Sequence, residues 1–272
     1  MGETSAQAAQ RVGAGFTATV EQYEGALRYN LDGVRRLVAS LPDGSYDELL
    51  DVGCGTGWAT LAVAERFGTR RAVGVDPSAG MLEKYAAAVE AVGVTAVTHA
   101  ADVLEMPVAD GSVDAVISTM AFHWFVDKAA ATRAMARTLR PGGVFALLAG
   151  GEGVEREYRE LLESLTPAVP ERWIATYDHG PTGLAEMQDH LEQAGLEPID
   201  IWLEVRRRQT PFEDFLKRME VIGGHLNEGV DPEILEGHRR RVWEATKAAS
   251  DAQGRYEYTC LLYTSPSPRD LN

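Results

Sequence analysis

Glycines 53, 55 and 57 follow a short apolar run, Leu49-Leu50-Asp51-Val52, and precede a segment in which Trp58, Leu61, Ala64 and Phe67 recur at helical spacing. That order is strand, glycine turn, helix. Residues without a Cβ at such a turn let a ligand lie against the main chain, and the helix start offers free N–H groups to an anionic group. Asp76 stands at the end of the next strand, where a carboxylate can accept both hydroxyl protons of an adenosine ribose; its other reading is a helix N-cap through Asp76-Pro77-Ser78. The glycine spacing separates two nucleoside chemistries. A dinucleotide site wants Gly-x-Gly-x-x-Gly, whereas here the pattern is Gly53-x-Gly55-x-Gly57 with Asp51 ahead of it. His123, in Phe122-His123-Trp124, is the candidate proton acceptor near neutral pH, its alternative being to shape a pocket or cap the next helix. Cys54 has no partner base in the sequence and reads as a small buried filler.

These residues need strands to hold them, and the apolar pattern supplies them. Ala72–Val75, Thr95–His99, Val113–Ser118 and Val144–Leu148 read as strands. Between them Met81, Leu82, Tyr85, Val89 and Val92 form one helical stripe, and Lys128 to Leu139 another helix. Strands alternating with helices predict an α/β fold, a doubly wound, mostly parallel sheet with helices on both faces. Ahead of it, Phe16, Val20, Tyr23, Leu27, Val34, Leu37 and Leu41 predict one or two amphipathic helices, ended by Pro42-Asp43-Gly44.

After Gly151 comes an acidic segment, Glu152 to Glu163, then Trp173, Tyr177 and His179 in a loop-rich stretch. A helix over Leu184 to Ala194 and a strand over Glu197 to Val205 return to the sheet. Thr210-Pro211-Phe212-Glu213 predicts a helix start with Thr210 as N-cap, its stripe being Phe212, Phe215, Leu216, Met219 and Ile222. Asp231-Pro232-Glu233 opens a further helix to Ser250, and Arg255 to Thr259 begins a final strand. The expected organisation is a helical lid over 1–44, a ligand-binding core over 45–150, and the rest of the sheet with a helical cap over 151–259. The remainder, 260–272, is expected to be non-native: reverse-translated with one choice of codons, Cys260 to Asp270 resembles the adapter of transposon-based sequencing libraries.

The chain's 272 residues are 45% hydrophobic and 25% charged, enough to bury a sizeable core. Its net charge of −15 repels phosphate backbones and anionic headgroups, so neither nucleic acid nor membrane is expected as a partner. Two cysteines give no disulfide framework, no His/Cys cluster has metal-ligand spacing, and there is neither a signal peptide nor a membrane span, which together point to the cytoplasm. Oligomeric state is left open.

The segment Leu50-Asp51-Val52-Gly53-Cys54-Gly55-Thr56-Gly57 resembles the first motif of the class I S-adenosylmethionine-dependent methyltransferases. The likeness continues in order through Val73-Gly74-Val75-Asp76-Pro77-Ser78, Ala101-Asp102-Val103-Leu104-Glu105-Met106-Pro107, Asp110 to Val116, Phe122-His123-Trp124 and Leu139-Arg140-Pro141-Gly142-Gly143, closest to the small-molecule type 11 branch. It implies S-adenosylmethionine as cofactor, with Asp51, Gly53, Gly55 and Gly57 toward its methionine part and Asp76 on the ribose. Met81 would meet the adenine face, unless it is helix core; Asp102 would accept the adenine amino hydrogen, Val103's backbone would address the ring, and Ser118 would line the floor near the sulfonium. The implied reaction is in-line methyl transfer to an oxygen, nitrogen or carbon nucleophile of a small-molecule acceptor, a carboxylate or hydroxyl being favoured. The acceptor pocket is expected among Tyr23, Arg28 and Tyr29, the Trp173 to His179 segment, and the helices from Pro211 to Ser250. Two other readings stand beside it: an NAD(P)-dependent oxidoreductase, and a non-catalytic nucleoside-binding module on the same fold.

Overall fold

The computed structural model describes residues 4–27, 31–151, 153–175, 183–197, 201–227 and 229–268. Two helices, α1 (Ser5–Leu27) and α2 (Leu31–Ser40), precede the alternating unit β1 (Glu48–Val52), α3 (Trp58–Phe67), β2 (Arg71–Val75), α4 (Ala79–Ala91) and β3 (Thr95–His99). β4 (Val113–Thr119), a 3-10 turn at Phe122–Trp124, α5 (Lys128–Ala136) and β5 (Leu139–Gly150) follow. Beyond them lie α6 (Arg156–Ser164), α7 (Glu171–Ala175), α8 (Leu184–Gln193), β6 (Trp202–Pro211), α9 (Phe212–Ile222), a 3-10 turn at Gly224–Asn227, α10 (Pro232–Ala248) and β7 (Arg255–Pro268).

The strands form one sheet in the order β3-β2-β1-β4-β5-β7-β6. All neighbours from β3 to β5 are parallel, and β7 runs antiparallel to both β5 and β6. The doubly wound, mostly parallel sheet is as expected. Alternate residues of β5 serve opposite cores: Val144, Ala146 and Leu148 pack with α2, α3, α6 and α9, while Phe145, Leu147 and Ala149 pack with α5 and α8. A strand buried on both sides needs the near-continuous apolar run that Val144 to Ala149 provides.

Several boundaries move, each because tertiary pairing outranks local preference. Helix α5 stops at Ala136, short of Leu139, because the Thr138 carbonyl accepts the N–H groups of Ser112 and Val113 and so belongs to the sheet. Val92 leaves the helical stripe as the α4 C-cap, 59% exposed. β6 begins at Trp202 and runs through the Arg206-Arg207-Arg208 run to Pro211, not over Glu197 to Val205, since β7 pairs with it residue by residue from Thr264 to Arg255. Thr210 is therefore a strand residue opposite Tyr256, and Pro211 takes the α9 cap position without a side-chain bond. The buried face of α9 is Phe212, Phe215, Arg218 and Val221, not the expected stripe. Arg218 is tolerated there because Glu155 lies 2.7 Å from its guanidinium and the rings of Phe215 and Tyr258 cover it at 4.7 and 4.4 Å.

The acidic segment also folds: α6 buries Tyr158 and Leu162, and Glu157 accepts from the Thr259 backbone at 2.8 Å, tying the cap to β7. From Cys260 onward β7 is completed by main-chain pairing, which any sequence supplies. Pro266 and Pro268 pair with Ala146 and Val144 beyond Thr264, past the β6 register, where a strand with one neighbour tolerates missing N–H groups.

Helix α10 starts as the sequence indicates, with Asp231 accepting from the Glu233 and Ile234 N–H groups at 2.9 and 3.3 Å. Asp231→Ala is expected to cost about 1 kcal/mol and to lower Tm by about 2–4 °C, read by calorimetry.

Candidate active site

The strand order reverses between β1 and β4: the chain leaves β1 for β2 on one side and returns to β4 on the other. Crevices at the carboxyl ends of strands at such a point are where open α/β sheets take ligands. Asp51, the penultimate residue of β1, lies there with its side chain fully buried. Its Oδ2 accepts from Thr60 Oγ1 at 2.8 Å, while Oδ1 has no partner among the described residues. Burial pushes its pKa up to about 7, with Asp76 adding to the rise and Thr60 opposing it.

The turn that follows needs its glycines. Gly53 has φ +70°, and a Cβ there would lie 2.2 Å from the Ala121 Cβ. The Gly53 N–H donates to the Val75 carbonyl at 2.7 Å, so the turn is pinned to β2. Asp76 closes the arrangement: Oδ2 accepts from the Gly55 N–H at 3.0 Å and Oδ1 from the Ser78 N–H at 2.9 Å. Burial raises its pKa to about 6 despite these donors. Ser78, not Asp76, is the α4 N-cap, accepting from the Met81 N–H at 3.3 Å. Cys54 is buried beneath the turn, its thiol pushed up by burial and by the Asp76 and Asp51 carboxylates, so it is a filler and not a nucleophile.

The other expected ligand residues sit along the same edge. Met81 is 1% exposed on α4 and Val103 is 3% exposed after β3. Ser118, fully buried at the end of β4, donates to the Val52 carbonyl at 2.8 Å and so ties β4 to β1. Asp102 accepts from the Leu104 N–H at 2.9 Å and from Ser5 Oγ at 3.0 and 3.1 Å. Helix α1 thus lies across this edge. Its Thr17 bonds Ser78 at 2.8 Å, and a Cβ on Gly13 would meet the Pro77 carbonyl oxygen at 2.6 Å, a contact only glycine allows. Spacing did not single out Thr60, which orients Asp51; Tyr85, expected only as part of the α4 stripe, has its ring under Gly57 and Gly74.

His123 lies on the other side of the Ala121 contact. The turn begins at Met120, held at φ 55°, with its N–H donating to the Leu148 carbonyl at 2.6 Å. His123 Nδ1 is buried without a partner among the described residues, and burial, with Lys128 adding to it, pushes the imidazole pKa down to about 4. The ring is therefore neutral throughout the physiological range. It lines a cavity of ≈ 660 Å³ with Met120 and Trp124, closed by residues of α6, α7, α9 and α10.

Only some of the residues expected around the acceptor line this cavity. Trp173 and the helices after Pro211 line the cavity; Tyr23 stacks instead with Phe16 and Trp58, and Arg28, Tyr29, Tyr177 and His179 lie outside the described residues. The missed contributor is α6, through Tyr158, Arg159 and Leu162. Its signal was present as apolar residues four apart inside a run dominated by charge. The expected α9 stripe has a use after all, since Leu216, Met219 and Ile222 face this cavity.

Residues 50–147 match the family described as a methyltransferase domain. A malonyl-[acyl-carrier protein] O-methyltransferase of Dechloromonas aromatica is 32% identical over 216 residues, 79% of this chain and 77% of that protein. One of the same name from Hahella chejuensis is 29% identical over 90% of this chain and 85% of its own length. Among solved structures, a methyltransferase fold from Bacillus halodurans superposes with a TM-score of 0.61 at 19% identity, covering 89% of this chain and 99% of that one. A relative at 32% identity over 79% of the chain, together with the domain match over residues 50–147, identifies the chain as an enzyme belonging to the class I S-adenosylmethionine-dependent methyltransferases, with S-adenosylmethionine as its cofactor.

Proposed function

We propose that this enzyme methylates an oxygen, of a carboxylate or a hydroxyl, on an acceptor held in the ≈ 660 Å³ cavity beside His123. The observation that carries this reading is that the cavity and the glycine turn share one wall, with Ala121 against Gly53 on one side and Met120 and His123 on the other.

The chain's own groups fit the cofactor. Asp51 offers a buried, unpartnered carboxylate oxygen to the cationic methionine end, and the glycine turn leaves room for it. Asp76 takes the ribose hydroxyls through its remaining lone pairs, Asp102 and the Val103 backbone address the adenine edge, Met81 its face, and Ser118 the floor. Bound there, S-adenosylmethionine supplies an activated methyl group on a sulfonium. What the protein adds is orientation of the acceptor oxygen and exclusion of water, with α1 covering the edge through Ser5 and Thr17. A hydroxyl becomes far more acidic as its oxygen gains a methyl group, so a neutral imidazole of pKa about 4 is basic enough for His123 Nδ1 to take the proton. A carboxylate acceptor needs no such help.

Asp51 and Asp76 tie cofactor binding to pH. Both pKa values are raised, to about 7 and about 6, so both groups carry protons in mildly acidic solution, whereas a cationic ligand and ribose donors favour their ionised forms. Binding therefore releases protons and strengthens as pH rises. Affinity is expected to improve by up to about a hundredfold per pH unit below pH 6, where both groups are protonated, by about tenfold per unit from 6 to 7, and then to level off, measured by calorimetry in buffers of different ionisation enthalpy. Asp51→Asn should remove the upper part of that dependence.

The function itself is tested by incubating the protein with S-adenosylmethionine and a panel of acceptors. Because the relatives carry that name, the malonyl thioester of an acyl-carrier protein is the first carboxylate on the panel, followed by free carboxylic acids, alcohols and phenols, with amines as the contrast. Formation of a methyl ester or ether with S-adenosylhomocysteine is the expected result. Methylation confined to nitrogen or carbon would sink the oxygen assignment.

A further inference from the structure

The cavity beside His123 carries more polar chemistry than methyl transfer uses. Four of its lining side chains hold a buried nitrogen or oxygen without a hydrogen-bond partner among the described residues: His123 Nδ1, Arg159 Nε, Trp173 Nε1 and Asn227 Oδ1. His123 is already assigned to the reacting oxygen. Arg159 and Trp173 belong to α6 and α7, away from the β4 turn that carries His123, and both can only donate. Trp173 is 9% exposed, so solvent does not satisfy its indole N–H. Arg159, whose side chain is 35% exposed, forms an ion pair with Glu163 Oε1 at 3.7 Å, too long for its Nε to make a hydrogen bond there. Two buried donors without a hydrogen-bond partner among the described residues, one of them on a guanidinium, favour an acceptor that is negatively charged. The rest of the wall is mixed: Trp124, Leu162, Leu216, Met219 and Val242 give it an apolar surface, and charged side chains, Glu213, Glu220, Glu236 and Arg239 among them, also line it.

We propose that Arg159 and Trp173 form a subsite for an anionic oxygen group of the methyl acceptor, distinct from the oxygen that is methylated. The acceptor class is then an amphiphilic acid: an apolar body filling the cavity, one oxygen presented to His123, and a carboxylate or comparable anion held by the α6–α7 wall. This rests on the reading of the cavity as the acceptor site. The anion is a specificity element, because an apolar wall alone discriminates weakly between molecules of similar size, whereas buried donors reject a ligand that leaves them unpaired.

The test uses two dyes with one skeleton, 8-anilinonaphthalene-1-sulfonate and the uncharged N-phenyl-1-naphthylamine, titrated into the full chain saturated with S-adenosylhomocysteine and read by fluorescence. Arg159→Met is expected to weaken the sulfonate dye about tenfold or more, the loss of one charge-assisted hydrogen bond, and to leave the uncharged dye within about twofold. Trp173→Phe, which keeps an aromatic ring and removes the N–H, should do the same to a smaller degree. Should that variant fail to fold, Arg159→Met decides alone. Unchanged sulfonate binding, or equal losses for both dyes, overturns the subsite, the second result marking an ordinary packing role. No turnover enters the measurement. A failure of oxygen methylation on the acceptor panel would therefore leave the dye comparison standing, and an equal response of the dyes would leave oxygen methylation standing.

Discussion

Gly53→Ala is expected to abolish measurable S-adenosylmethionine binding, a loss of at least about 100-fold, and to lower the melting temperature at the same time. Two effects combine at this position. The backbone at φ +70° lies in the left-handed region, which costs an L-residue about 1–2 kcal/mol. The added methyl would also stand 2.2 Å from the Ala121 Cβ, about half a normal contact distance, so either the turn or the Met120–Trp124 segment has to move. Moving the turn breaks the Gly53 bond to Val75 and carries Gly55 away from Asp76; moving the other segment displaces His123. Gly68→Ala is the matched control. It has a similar φ of +72° but nothing within 4 Å of the new Cβ, at the C-cap of α3. Strain alone, about 1–2 kcal/mol, is expected there, with cofactor affinity unchanged in calorimetry. Equal loss of affinity in both variants would place the effect in global stability and not in the turn.

His123→Ala is expected to lower kcat for hydroxyl acceptors by about 10²–10⁴-fold while leaving the dissociation constant of S-adenosylmethionine unchanged. For a carboxylate acceptor the same substitution should leave kcat nearly intact, because no proton has to leave. The sign of the pH dependence follows from the lowered pKa. An imidazole with a pKa of about 4 is neutral and able to accept a proton from pH 5 to 8, so with cofactor saturating, kcat should be flat across that range and fall only as the pH approaches 4. A profile that rises through pH 6 to 7 would indicate an unshifted histidine, and a carboxylate-like loss for every acceptor class would reduce His123 to a wall residue. Asn227, whose Oδ1 on the same cavity has no partner among the described residues, is the natural comparison.

The core of the enzyme was legible because its chemistry is local. Asp51, the three glycines and Asp76 occupy consecutive strand ends and turns, and each needs only its own neighbours to reach its position. Short glycine turns between an apolar strand and a helix leave few backbone paths. The same locality explains α10, whose Asp231 cap and Pro232 sit side by side. Where an element depended on a distant partner, the sequence misled. β6 carries three consecutive arginines and reads poorly as a strand, yet β7 supplies a partner for each of them. The Thr210 cap signal was sound in isolation but lost to the same pairing, since Phe212 donates to the Gly254 carbonyl and not to a side-chain cap. Arg218 stood outside the expected stripe, and its burial is made tolerable by Glu155 and by the rings of Phe215 and Tyr258, from distant parts of the fold.

By itself, then, the sequence determined the parallel α/β sheet, the family and the residues proposed for the cofactor edge, because period, glycine spacing and strand-end acids are written along contiguous residues. The cavity proposed for the acceptor was decided by the tertiary structure alone. Its walls come from the β4 turn, α6, α7, α9 and α10, which lie far apart in the chain and share no motif. Which of their polar atoms end up buried without partners depends on how those helices pack, and no spacing along the chain encodes that.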